Sequence, residues 1–203
     1  LIPAGLILGI VFPAMGRIGD RVPALLPIVL GSAGFAWSNY ALGVVDANTG
    51  FWTFAIIVMI GRATHAAIFP PLMAVGLKGF PPDQIPSANG TINFTRQLGG
   101  AFGINLLAIF LEQRIAFFSD AFAASQSAAN AVTADFLREV EGLLATGGLP
   151  EAIQQSGAIL YLGQVVSAQA ITLAFRDTFL MFAIVSLTGI FFAFLLGSPK
   201  DRR

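Results

Sequence analysis

Four long apolar stretches, residues 24–45, 51–77, 88–118 and 178–196, fill most of this chain, and its few charged side chains fall almost wholly in the links between them. Each stretch is long enough to cross a hydrocarbon core, which takes roughly 20 mostly apolar residues in a helix. No water is present there to bond backbone N–H and C=O groups, so a spanning segment is a helix or a strand of a closed barrel. The stretches are continuous rather than alternating, and that selects helices. Composition agrees, with 56% hydrophobic and 11% charged residues and a mean hydropathy of +0.78, whereas a soluble domain carries about a quarter charged residues. The expected class is all-α, a polytopic membrane helix bundle.

A further apolar run, residues 1–15, covers only roughly 22 Å as a helix, short of a core about 30 Å thick. It lacks the basic start of a secretory signal, and Gly16-Arg17 follows it instead of a small-residue cleavage site. With no methionine at Leu1, it is expected to be the tail of a cut helix, making about five spans, with the missing part upstream. Lysine and arginine in short loops mark the cytoplasmic side. Arg17 and Arg21 lie in the first link, Lys78 in the third, and Lys200, Arg202 and Arg203 in the tail. These share one side if every stretch crosses once, which leaves Asp46 and the long link on the other. Residues 1–118 thus read as transmembrane helices with cytoplasmic loops at 16–23 and 78–87. Residues 119–177 read as an extracytoplasmic segment, and 178–203 as the last transmembrane helix with a cytoplasmic tail.

Within the long segment, Thr133-Ala134-Asp135 precedes Phe136, Val140, Leu143 and Leu144, apolar positions three or four apart. That spacing predicts a short amphipathic helix. Gly147-Gly148 is expected to stop it, and Pro150 to open another through Ala152, Ile153 and Ile159. The pair is expected to form a helical cap on the outer membrane face, with ligand binding as the alternative.

Formal net charge is zero and no basic stripe exists, so nothing points to nucleic acid. Cysteine is absent, which removes disulfides and thiolate chemistry. No His-Glu-x-x-His or comparable spacing offers a metal site, and no cofactor is expected. Gly31-Ser32-Ala33-Gly34 has the wrong order for a serine nucleophile and no convincing pairing with the only histidine, His65. The chain is not expected to be an enzyme.

The first link reads Gly16-Arg17-Ile18-Gly19-Asp20-Arg21, followed by Pro23. Its glycines suit a tight turn between helices, Asp20 can face a helix amino terminus, and Pro23 suits a first helical turn. Here the chain resembles the major facilitator superfamily, whose short cytoplasmic loops carry Gly-x-x-x-Asp-Arg-x-Gly followed by basic residues. Gly16, Asp20 and Arg21 match, while Pro23 replaces the next glycine and the following basic residues are missing, as in degenerate second-half copies. The resemblance implies that Gly16, Gly19, Asp20 and Arg21 form a cytoplasmic gating motif that ties neighbouring helices in one state of alternating access.

A second stretch runs Ser87-Ala88-Asn89-Gly90-Thr91-Ile92-Asn93-Phe94-Thr95-Arg96-Gln97-Leu98-Gly99-Gly100-Ala101-Phe102-Gly103. It resembles the penultimate helix of the fourteen-span drug:proton antiporter branch, the EmrB/QacA-like permeases. The extended outer segment, with Gln169-Ala170 and Phe175-Arg176-Asp177-Thr178-Phe179 before the last span, is similar too. By this resemblance the chain is the carboxyl-terminal portion, the last five spans of fourteen.

Asn93, Arg96, Gln97 and Gly100 are three or four apart and share one helix face, which cannot look at lipid. Arg96 lies deep enough to need a partner, a wet cavity or a snorkelling path. Either it lines the cytoplasmic half of the transport pathway or it pins helix ends on that side. Gly99 and Gly103, like Gly5 and Gly9, have the spacing of close helix packing, and Gly100 sits among them. Arg62 and His65 share a face of the preceding span and complete the expected pathway set. His65 either takes part in proton movement or stays neutral and hydrogen-bonded. Pro70-Pro71 removes backbone donors and is expected to bend that span.

The expected function is the carboxyl-terminal part of a proton-coupled multidrug efflux transporter, acting by drug/H+ antiport and alternating access. Its expected surroundings are the lipid bilayer of the bacterial inner (cytoplasmic) membrane and the missing amino-terminal half. Amphipathic small-molecule substrates and protons, and a periplasmic adaptor protein, complete the expected partners. Two other readings stand beside it: a truncated, non-transporting membrane module or scaffold, and a facilitator-type carrier of sugars or organic acids.

Overall fold

The computed structural model describes residues 9, 11, 13–15, 22–46, 48–127 and 130–196. Among the described residues it is helical throughout, with no strand, and its continuous helices are α1 (Leu25–Gly43), α2 (Phe51–Leu77), α3 (Ile85–Ser125), α4 (Ala131–Thr146) and α5 (Glu151–Leu196). By length and composition α1, α2, α3 and α5 can each cross a membrane. The architecture is therefore an all-α, polytopic membrane helix bundle.

The 41 residues of α3 and the 46 of α5 make helices about 61 and 69 Å long, roughly twice a hydrocarbon core. Each therefore continues well past its apolar stretch. For α3 the extension is Ser119-Asp120-Ala121-Phe122-Ala123-Ala124-Ser125, which holds neither glycine nor proline to stop it. For α5 no proline interrupts residues 151–196, and Glu151 in its first turn suits the positive end of the helix dipole. The helix α2 is continuous through Pro70 and Pro71.

Chain contacts divide the protein into two compact units, Leu1–Leu106 with Thr178–Arg203, and Leu107–Asp177. In the first, the closest helix packing is the α1–α2 hairpin, and small residues make it. A Cβ on Gly34 would stand 2.5 Å from Thr64 Cγ2, and one on Gly31 would stand 2.6 Å from Ile68 Cγ1 and 3.0 Å from the Thr64 carbonyl. A Cβ on Gly61 would stand 2.5 Å from Ser38 Oγ. Residues 31, 34 and 38 thus meet 68, 64 and 61 in one antiparallel register, and the glycines let the backbones approach. Ser38 Oγ donates to the Ile57 carbonyl at 2.8 Å, a bond between the two helices. Thr64 Oγ1 donates within its own helix to the Ile60 carbonyl at 2.8 Å. The hairpin turn is closed by Asp46, whose Oδ1 accepts from Thr49 Oγ1 at 2.7 Å and from the Asn48 amide at 3.2 Å.

In the second unit, α4 begins at Ala131 with Asn130 as its cap, whose side chain accepts from the Val132 amide at 3.1 Å. Thr133, expected at the helix start, lies inside it, buried, and donates to Gln126 Oε1 at 2.7 Å. Asparagine is the stronger capping residue and relieves Thr133 of that task. The helix ends as the glycine pair predicts. The Leu149 amide donates to the Leu144 carbonyl and the Gly148 amide to that of Ala145, while Gly148 takes φ +81°. This is the paired closure that needs a left-handed residue, which glycine adopts without strain. Of the predicted apolar face, Val140 is buried, Phe136 stacks on Tyr161 of α5 at 6.1 Å, and Leu144 packs against Gly157. Leu143 remains 66% exposed.

Candidate functional site

A polar strip runs along the first part of α3, and the described residues leave most of it uncovered. None of the residues of α3 is buried, although the helix has the length and apolarity of a span. On this strip Asn93 Nδ2 donates to the Asn89 carbonyl at 3.0 Å and to Asn89 Oδ1 at 3.1 Å. That leaves Asn93 Oδ1 as the free end of the amide, and it accepts from Arg96 Nη2 at 3.1 Å. The Arg96 guanidinium also lies over the ring of Phe69 on α2, 4.7 Å from its centroid.

Magnitudes show why these contacts leave the charge incomplete. Arg96 stands eleven residues into α3, about 16 Å along its axis. An arginine at the centre of a membrane-spanning helix costs about 2.5–3.5 kcal/mol on insertion scales. A cation–π contact returns about 0.5–2 kcal/mol, and one neutral amide adds about 1 kcal/mol. Neither brings a countercharge. Within a membrane such a face needs water, an anion or the polar surface of another helix.

Along α2, Arg62, His65 and Phe69 follow at three- and four-residue intervals and so share a face. The His65 ring lies 5.1 Å from Phe35 of α1, and Phe182 of α5 meets Phe35 edge-on at 5.6 Å. Arg62 is exposed and has no ion pair among the described residues. Of the expected pathway residues, then, Asn93 and Arg96 bond directly, and Gln97 is exposed beside them. Phe69 escaped the sequence reading, though its place four residues after His65 and seven after Arg62 was a signal for it. Asn89 stood in the matched stretch but its hydrogen bonds to Asn93 required coordinates.

Gly16, Gly19, Asp20 and Arg21 lie outside the described residues. A Cβ on Gly99, Gly100 or Gly103 would meet nothing within 4 Å, so α3 presents bare backbone beside Arg96. Two cavities lie in the same unit. One of about 760 Å3 is bounded by the start of α1 and the ends of α2 and α5, with Ile28, Ser32, Leu72, Lys78 and Phe192 in its wall. The other, about 380 Å3, sits in the α2–α3 corner below the strip and is lined by Gly76, Phe80, Gln84, Ser87, Thr91 and Ile92.

Comparison with known proteins places this strip on a chain similar to transporters. The chain is 24% identical to the multidrug export protein EmrB of Escherichia coli, strains K12 and O157:H7, over 172 residues, which is 80% of this chain and 33% of each relative. It is also 24% identical to the uncharacterized MFS-type transporter YcnB of Bacillus subtilis over 116 residues, 57% of this chain and 25% of that protein. The chain therefore spans about a third of the length of the EmrB relatives. No family model matches it, and no solved structure does. Four helices long and apolar enough to span a membrane fit an integral membrane protein, and the relatives it is similar to are transporters.

Proposed function

We propose that this chain is the carboxyl-terminal part of a multidrug efflux transporter that exchanges its substrates for protons by alternating access. The observation that carries the reading is the uncovered polar strip on α3, Asn89, Asn93, Arg96 and Gln97, on a membrane-spanning helix of a chain similar to EmrB. A polar face in a membrane is tolerated against protein or a water-filled pathway, not against lipid. Transport needs such a face and does not need covalent chemistry. In this reading the strip lines the pathway, with Arg62 and His65 on the neighbouring helix. The segment 16–21 is its cytoplasmic gating motif, and the carboxyl terminus lies on the cytoplasmic side of a bacterial inner membrane. Residues 119–177, with α4, are then extracytoplasmic, and a periplasmic adaptor protein is the partner expected there.

The test is proton-driven dye efflux from liposomes holding the complete protein. Acidifying the side that receives the dye drives efflux if the reading holds, and Arg96→Ala slows it at least about tenfold. Efflux indifferent to the proton gradient, or transport of sugars with no dye movement, rejects it.

A further inference from the structure

The larger cavity of the first unit is a groove between three helix ends, and its parts differ in chemistry. Ile28 and Ser32 of α1 and Ala193 of α5 are its buried lining, while Leu72 of α2 and Phe192 of α5 border it and stay 42% and 60% exposed. At about 760 Å3 it has the size of a ligand site. The antiparallel register that sets residue 31 against 68 brings Lys78 and the start of α1 to the same end of the groove. Two features at that end favour an anion. Lys78 carries a full positive charge on a flexible stem. The amino terminus of α1 has no side-chain cap and no acidic residue in its first turn, so its dipole and first amides stay available to a negative group. The sequence reinforces the sign, since 16–23, 78–87 and 197–203 together carry six lysines and arginines against three aspartates. Seven residues into α1, about 10 Å along the helix, Ser32 lines the groove, is 7% exposed and has no side-chain hydrogen bond among the described residues.

The geometry points to a binding site for one anionic phospholipid, whose phosphate meets Lys78 and the first amides of α1 and whose acyl chain lies in the groove over Ile28, Leu72 and Phe192. A free phosphate answers the cation but leaves the apolar groove unfilled. An uncharged hydrocarbon fills the groove but leaves the cation unanswered. A phospholipid carries both parts in the order the groove presents them, charge at the helix ends and hydrocarbon further in. Ser32 offers a donor to an ester carbonyl between the two. Every lining residue belongs to α1, α2 or α5 or adjoins an end of one, and all three helices can cross a membrane. Their ends therefore meet the headgroup layer, on the side that basic short loops mark. Lysine near a membrane surface is drawn to lipids with net negative charge. Phosphatidylglycerol leaves its phosphate charge uncompensated, whereas phosphatidylcholine offsets it with a cation of its own, so the site prefers the first. This goes beyond the transport reading and does not depend on the cargo.

The experiment titrates the complete protein, delipidated in detergent, with phosphatidylglycerol and with phosphatidylcholine of the same acyl chains, and counts bound lipids by native mass spectrometry. The first phosphatidylglycerol is expected to bind about fivefold tighter than the first phosphatidylcholine, the worth of one lysine near a membrane surface. Lys78→Gln removes that preference and leaves phosphatidylcholine binding nearly unchanged. Leu72→Trp adds bulk to an exposed wall without touching the charge, and it weakens both lipids alike. Glycerophosphoglycerol, the same headgroup without acyl chains, fails to displace the bound lipid at equal concentration. Equal wild-type affinities, the result expected if another segment of the complete chain fills the groove, overturn the proposal. So does a preference that survives Lys78→Gln. Full displacement by glycerophosphoglycerol assigns the cation to free phosphates and overturns the lipid assignment. Binding indifferent to Leu72→Trp puts the lipid outside the groove and overturns the site.

Discussion

Arg114 of α3 and Asp177 of α5, 63 residues apart, form an ion pair in which both Nε and Nη2 of the arginine donate to Asp177 Oδ2, the Nε bond at 2.7 Å. The same guanidinium lies 4.8 and 4.7 Å from the ring centroids of Phe117 and Phe118. Two aromatic contacts on its own helix hold the cation in place, so little side-chain freedom is lost when the aspartate pairs with it. This arginine has a carboxylate partner, while Arg96 on the same helix has none among the described residues.

Breaking this pair is expected to destabilise the protein by about 1 kcal/mol, because both side chains are roughly a third exposed and water screens part of the attraction. Asp177→Asn and Arg114→Gln should cost similar amounts singly and much less than their sum together. A double-mutant cycle on unfolding in detergent measures it. Strict additivity would show that the pair contributes nothing.

The α1–α2 register makes a sharper demand. Gly34→Ala or Gly61→Ala forces a methyl group to 2.5 Å from Thr64 or Ser38, and overpacking of this kind costs about 1–3 kcal/mol. Gly50→Ala meets nothing within 4 Å and its backbone is ordinary extended chain, so it should change stability by less than about 0.5 kcal/mol. Thermal unfolding of the three variants side by side checks the ranking.

Ser38→Ala removes the bond to the Ile57 carbonyl while leaving the close packing intact. Hydrogen bonds between membrane helices are worth about 0.6 kcal/mol on average, and that is the loss expected. Backbone amide exchange should quicken locally in α2 near Ile57, and no change there would place the hydroxyl's partner elsewhere.

At the start of α4, Asn130→Ala should cost about 1 kcal/mol of local helix stability, since the asparagine oxygen holds the Val132 amide. Limited proteolysis in the 126–135 region is expected to speed up in this variant. Asn130→Asp should retain the protection, because it keeps both the acceptor and a charge favoured at a helix start.

The existence, type and membrane character of the helices were legible in the sequence because a bilayer leaves the backbone few choices. The amphipathic spacing around Phe136 and the Gly147-Gly148 stop were legible for the same reason, since they depend on neighbours in sequence. Two local details escaped. The cap fell on Asn130 rather than at Thr133, and α3 and α5 extend well past their apolar stretches, because hydropathy measures where lipid is tolerated and not where helical hydrogen bonding ends.

What the sequence determined alone was the set of apolar helices and the face that unites Asn93, Arg96 and Gln97, both consequences of helical period and of transfer from water. Tertiary structure decided partners. Nothing in spacing marks Gly31, Gly34 and Gly61 as the glycines of the α1–α2 contact over the better-spaced Gly99 and Gly103, or tells Arg114 with its aspartate from Arg96 with its phenylalanine. Those choices depend on which helix lies opposite, and in a chain where nearly every span is apolar on all sides, only contact geometry selects one face from another.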